Sequence, residues 1–189
     1  MEQQFQYYAF ISYKREDEKW AKWLQDRLRW YKLPSKLCRQ ITRLPKKVWP
    51  VFRDNTDLDS GRLEENIRHE LERSHYLIVI CSPEAARSPW VGKEVKYFAT
   101  LHGADKIIPF VVSGIPYSND IETECIHEQI KAISQEELLA INVREEGIGS
   151  FAMKKKRAFI RVVARLLDIK FNTLWQPYER ILRIRKWST

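Results

Sequence analysis

Apolar positions along the chain switch repeatedly between a period of two and a period of 3.6. The run Tyr7-Tyr8-Ala9-Phe10-Ile11-Ser12 is rich in strand formers, and Trp20, Trp23, Leu24, Leu28 and Tyr31 then recur at helical spacing. A strand at 7–12 and a helix at about 17–31 are therefore predicted. Asp17 suits the helix N-cap, and Lys32-Leu33-Pro34 closes the helix. The Lys/Arg-rich segment 32–47, with Pro34 and Pro45, reads as a long loop. A short strand at 48–53 precedes the turn-forming stretch DNTDLDSG at 54–61. Leu63, Ile67 and Leu71 mark one stripe of a helix at about 63–73.

The run HYLIVICS at 75–82 is almost continuously apolar, which suggests a strand buried on both faces. A helix at about 89–101 follows, with Ser88 as N-cap, Pro89 at its first position and Gly103 just past its end. KIIPFVVS at 106–113 reads as the fourth strand, 119–131 as a short helix and LLAINV at 138–143 as the fifth strand. Phe151, Phe159, Val162, Val163, Leu166 and Leu167 predict a helix at about 150–168, and 171–189 fits one more amphipathic helix. Strands alternating with helices imply βαβ units. The expected fold is α/β and flavodoxin-like: doubly wound, with a five-stranded parallel sheet and helices on both faces. Ligands of such sheets bind at the carboxyl ends of the strands, beside the point where the strand order reverses.

Composition narrows the class. The 189 residues are 44% hydrophobic and 12% aromatic, enough for a packed core. The start, MEQQFQYYAF, has neither a basic nor an apolar leader region, and no apolar run approaches the ~20 residues that span a bilayer. Cys38, Cys81 and Cys125 are odd in number and widely spaced, so neither a disulfide framework nor a zinc pattern is expected. These features fit a cytoplasmic chain with no membrane partner. The net charge of +8 is segregated. Residues 14–47 hold 12 Lys/Arg against 4 Asp/Glu, residues 54–150 hold 9 against 18, and residues 154–189 hold 11 against 2. Nucleic acid, pairing between oppositely charged faces and attraction of substrate phosphates all remain open on charge alone.

Three segments sit at predicted strand ends and carry chemistry. Ser12-Tyr13-Lys14 follows the first strand, and Asp54 with the loop residues Leu58 and Asp59 follows the second. Trp90 and Glu94, after the third, lie four apart on one helix face. An aromatic plate beside a carboxylate suits a sugar or nucleotide. Each also has a plainer reading: Trp90 as a cap on the core, Asp54 and Asp57 as turn residues, and Lys154-Lys155-Lys156-Arg157 as a solvated helix face. His69, His75 and His102 lack metal-ligand spacing, so no metal is expected. No P-loop, dinucleotide fingerprint, nucleophile elbow or HExxH is present.

In order and spacing, YYAFISYKRED at 7–17, VFRDNTDLDSGRLEENI at 51–67 and SPWVGKEV at 88–95 resemble the Toll/interleukin-1 receptor (TIR) family, above all its members that cleave NAD. The usual Pro-Gly at the tip of the second segment's BB loop is replaced by Ser60-Gly61. A late Phe-Trp pair has no match, since Leu174-Trp175 fits it poorly. The resemblance implies a TIR-like domain over 1–168, with 169–189 as a basic amphipathic extension. It implies Glu94 as the catalytic residue and Trp90 as the wall of the site. Phe10, Ser12, Tyr13 and Lys14 would line it, and Asp54, Leu58 and Asp59 would form the opposing rim. NAD enters as substrate, with no cofactor.

Resemblance to stand-alone bacterial members of anti-phage (Thoeris-like) defence implies a cyclic or transferred ADP-ribose signal. A separate effector protein would sense that signal, and self-association would run through the BB loop. A non-catalytic assembly module is the alternative. The acidic middle and the lack of a recognition motif argue against nucleic acid.

Overall fold

The computed structural model describes residues 5–54, 61–134 and 138–187. Strand β1 (Tyr7–Ser12) passes through a 3-10 turn (Arg15–Asp17) into α1 (Glu18–Trp30), followed by α2 (Ser35–Gln40) and β2 (Val51–Arg53). Helix α3 (Gly61–Glu72), strand β3 (Ser74–Cys81), and helices α4 (Pro83–Ala86) and α5 (Pro89–His102) come next. Strand β4 (Ile107–Val111), α6 (Glu128–Ile133), β5 (Ile141–Asn142), α7 (Phe151–Leu166) and α8 (Phe171–Trp187) complete the order.

The five strands form one sheet in the order β2-β1-β3-β4-β5, with every neighbouring pair parallel. This is the doubly wound flavodoxin-like order, which reverses between β1 and β3. Side chains alternate between faces with the period of a strand. Ala9, Ile11, Ile78, Ile80, Ile108 and Phe110 pack on one side with α1, α7 and α8. Phe10, Leu77, Val79, Cys81, Ile107 and Val111 pack on the other with α3, α5 and α6. The unbroken apolar run of β3 thus serves two cores at once. Among the described residues, no helix is long and apolar enough to cross a membrane.

Several local expectations change. Segment 32–47 is not a plain loop: it contains α2, and it is pinned to the α1/α7 core by the buried residues Leu33, Leu37 and Leu44. Arg43 holds it further by donating to the carbonyls of Leu167 and Asp168 at 3.3 and 3.2 Å. Of the helix expected at 119–131, only the last residues are helical, as the start of α6 (Glu128–Ile133). Upstream, the Glu124 carboxylate accepts from the amides of Tyr117 and Ile126 at 3.1 and 2.7 Å, and these bonds stabilise a turn instead. The fifth strand shrinks to two residues because only Phe110 and Val111 offer it a ladder. Asp17 makes no side-chain cap on α1, since its carboxylate accepts from the Ser82 hydroxyl.

Ser88, Pro89 and Gly103 do bound α5 as expected. Ser88 Oγ accepts from the Val91 amide at 3.4 Å, and Gly103 adopts φ +89°. The basic run of α7 is not simply solvated. Lys155 lies 4.5 Å from the Trp23 ring centre, Lys156 3.5 Å from Tyr178 and Arg157 4.6 Å from Trp175. The cations clad an aromatic seam between α1, α7 and α8. Leu174 and Trp175 of α8 are buried in that same core.

Candidate active site

Glu94 reaches the strand ends because α5 starts immediately beside them. Ser88 and Pro89 nucleate the helix, and its inward face comprises Val91, Gly92, Glu94, Val95 and Phe98. Gly92 is required by close packing: a Cβ there would stand 2.5 Å from His127 Cε1. The His127 ring accepts from the Gln129 amide at 3.0 Å and so caps α6, while its other nitrogen bonds the Ser88 carbonyl at 3.0 Å. With Nδ1 accepting, Nε2 carries the proton, and one neutral imidazole joins the starts of α5 and α6.

Only 6% of Glu94 is exposed, and Ser12, the last residue of β1, donates its hydroxyl to Glu94 Oε2. Burial pushes the Glu94 carboxyl up from 4.5 to about 8. The Ser12 hydroxyl acts in the opposite direction by favouring the carboxylate, and the negative charge of Asp54 adds to the rise. Glu94 is therefore a neutral acid through much of the physiological range unless a positive charge arrives beside it.

A cavity of about 290 Å³ opens between α3 and α5, with Ile67, Leu71, Trp90, Lys93, Glu94 and Tyr97 among its walls. Trp90 and Glu94 thus face one space. Lys93 stands 5.3 Å from the Trp90 ring centre and 3.8 Å from Glu64. The walls are chiefly apolar, with a few polar groups set into them.

Of the other expected residues, Ser12 and Asp54 act on Glu94 directly, but none of Phe10, Ser12, Tyr13, Lys14 and Asp54 lines this cavity. Phe10 is fully buried, its ring 5.2 Å from Phe52 in the α3/α5 core. The Tyr13 hydroxyl donates to the Asp54 carbonyl and accepts from Arg53 Nη1 at 3.1 Å, tying the ends of β1 and β2 together. Lys14 is half-buried, and its carbonyl accepts from the Asp17 amide as the 3-10 turn begins. Leu58 and Asp59 lie outside the described residues. Not foreseen was Arg53, which also donates to Gln25 Oε1 at 3.0 Å and pairs with Glu18 at 3.4 Å. The one available signal was its position at the end of a strand.

A profile of the TIR domain family matches residues 9–146. The chain belongs to the TIR-domain family. A 110-residue stretch is 36% identical to a protein of an Actinoplanes species named NAD(+) hydrolase ApTIR. That stretch is 57% of this chain but only 14% of the much longer relative. Among solved structures, the TIR domains of the activated Roq1 resistosome, which directly recognises the pathogen effector XopQ, superpose with a TM-score of 0.54 at 14% identity. The match covers 82% of this chain and 98% of that one, and at this identity it speaks to the fold alone.

This TIR domain holds a second buried carboxylate at the same end of its sheet. Asp17, 8% exposed, accepts from the hydroxyl of Ser82, which follows β3. Ser82 Oγ also accepts from the Ala85 amide and so caps α4. Burial raises the Asp17 carboxyl, with Glu84 and Glu16 adding to the rise and Ser82 opposing it.

Proposed function

We propose that this TIR domain cleaves the bond between nicotinamide and ribose in NAD, with Glu94 as the catalytic residue. The observation that carries this reading is the burial of Glu94 at the switch-point end of the sheet, where Ser12 holds it while it faces a cleft walled by Trp90. Recurrence of the activity in the name of a 36% identical relative supports it.

The C1′–N bond breaks heterolytically, and its electron pair passes to the pyridine nitrogen. Nicotinamide therefore leaves neutral and needs no general acid. Positive charge develops on C1′ and the ring oxygen, as in glycoside cleavage. The Glu94 carboxylate stabilises that charge and holds the ribose hydroxyls, in a water-poor site where one charge counts for more than it does in bulk. The cationic nicotinamide ring favours ionisation of Glu94, so binding draws off the proton that burial had kept on it. Trp90 orients the ring, and Tyr13, Lys14, Asp54 and the 54–61 segment, which includes Leu58 and Asp59, frame the substrate. Phe10 supports the floor from the core.

We further assign the second product to the cyclised or transferred ADP-ribose class, serving as a signal in bacterial anti-phage defence and sensed by a separate effector protein. The setting is cytoplasmic, consistent with the buried free thiols of Cys81 and Cys125. Self-association through the 54–61 loop would complete the site. The test is mass-resolved analysis of NAD incubated with concentrated wild-type and Glu94→Gln protein. Release of nicotinamide that depends on Glu94 establishes the enzyme. A second product of the mass of linear ADP-ribose alone removes the signal assignment. Intact NAD with protein that self-associates would instead support a pure assembly module.

A further inference from the structure

On the opposite face of the sheet from Glu94, α1, the segment after it, α7 and α8 border an open cavity of about 610 Å³. Its walls carry the rings of Trp23, Trp30, Tyr31, Phe159 and Tyr178. Three cations join them: Arg27 lies 5.6 Å from the Phe159 ring centre, Lys156 lies 3.5 Å from that of Tyr178, and Lys32 stands on the segment after α1. No ion pair engages any of the three among the described residues. Asp26 supplies a single carboxylate. Pro177, also on the wall, removes one amide from the α8 ladder where the helix passes over the space. Trp30 is 74% exposed, a large ring left in water at the rim.

We infer that this cavity is a binding site for a purine nucleotide. The volume falls within the range of small-molecule sites. Rings on several sides suit a flat base, because every base offers a π-face that stacks on an aromatic side chain. The three cations, which have no carboxylate partner among the described residues, suit the phosphates, and Asp26 suits a base N–H group. An apolar ligand would leave three cations facing it, and a simple anion would leave the exposed Trp30 ring in water. The rings belong to the α1/α7 core and Glu94 to α5 on the other side of the sheet, so the ligand is an effector rather than the substrate. Its contacts reach all three helices, so occupancy fastens α8 onto the domain. The inference stands whether or not Glu94 cleaves NAD.

The test is titration of the whole chain with ATP, with inorganic tripolyphosphate as the comparison, followed by tryptophan fluorescence and by amide exchange across α8. Expected is saturable ATP binding that protects α8 and weakens at least tenfold in both Trp30→Ala and Lys156→Gln, but not in Glu94→Gln. Trp30 is exposed and Lys156 half-buried, so both variants should retain the wild-type melting temperature. If a melt shows that Lys156→Gln has unfolded, Lys32→Gln on the exposed connecting segment takes its place. Tripolyphosphate binding as tightly as ATP, with no effect of Trp30→Ala, would reduce the site to an adventitious anion patch and overturn the inference. So would ATP binding lost with Glu94→Gln, or no saturable binding at millimolar ATP.

Discussion

Two serine–carboxylate pairs sit at the same end of the sheet, and they make opposite use of one chemical arrangement. Glu94 accepts from Ser12 and Asp17 accepts from Ser82, and all four residues are buried. In both, burial raises the carboxyl and the serine hydroxyl opposes the rise. The surroundings differ. Ser82 spends its oxygen twice, on Asp17 and on the start of α4, so that pair joins α1 to the end of β3. Glu94 instead borders a cavity beside an aromatic plate. A buried carboxylate is thus a candidate for chemistry only where it also meets space for a ligand.

The sharpest way to break this comparison is to neutralise Glu94. Glu94→Gln keeps the shape and a partner for Ser12, so the melting temperature should not fall, and should rise at neutral pH, while nicotinamide release drops by about 10²–10³. Equal rates for variant and wild type would remove the catalytic distinction between the two pairs. Asp17→Ala should do the reverse. It strips the Ser82 hydroxyl of its acceptor and costs about 1–3 kcal/mol in urea unfolding, with kcat per folded molecule unchanged. Gly92→Ala forces a methyl group against His127 and should cost a similar ~1–3 kcal/mol. Because the strain falls on α5, kcat should drop as well, which sets this variant apart from Asp17→Ala at matched stability.

A smaller effect is read in the pH dependence of stability. Folded Glu94 holds its proton to about 8, whereas the unfolded chain releases it near 4.5. Between those values the native state binds more protons, so stability falls as pH rises, by at most about 1.4 kcal/mol per unit. Glu94→Gln should flatten that slope in urea melts taken from pH 5 to 8. An unchanged slope would assign it to other groups. Smallest is the effect of Ser12→Ala on the rate profile. Removing a donor that favours the carboxylate should move the alkaline rise in activity to higher pH, measured as kcat/KM against pH, which reports the free enzyme.

Much of this was legible in the chain. Alternation and helical spacing located all five strands and the principal helices, because burying an apolar face dictates those periods. Ser88, Pro89 and Gly103 marked the ends of α5 by local chemistry that needs no tertiary partner. The Trp90/Glu94 spacing placed both side chains on one helix face, and both border the cavity. The partly structured segment 32–47 was less legible, since Leu33, Leu37 and Leu44 keep helical spacing but are set among Pro34, Pro45 and a run of Lys and Arg, and only the assembled core buries them. Lys154 to Arg157 reads as a solvated run until α1 and α8 supply the rings that Lys155, Lys156 and Arg157 cover.

The sequence by itself determined the alternating elements, the parallel doubly wound sheet and the family, because periodicity, capping and motif order are local properties of the chain. Only the tertiary structure decided which serine meets which carboxylate. Residues 12 and 94, or 17 and 82, come together through strand order and helix packing, and nothing in their separate neighbourhoods encodes the meeting. The same holds for the aromatic and cationic cavity beneath α8. Its lining is drawn from α1 and the segment after it and, far along the chain, from α7 and α8, and each contributes residues whose own local pattern already accounts for them.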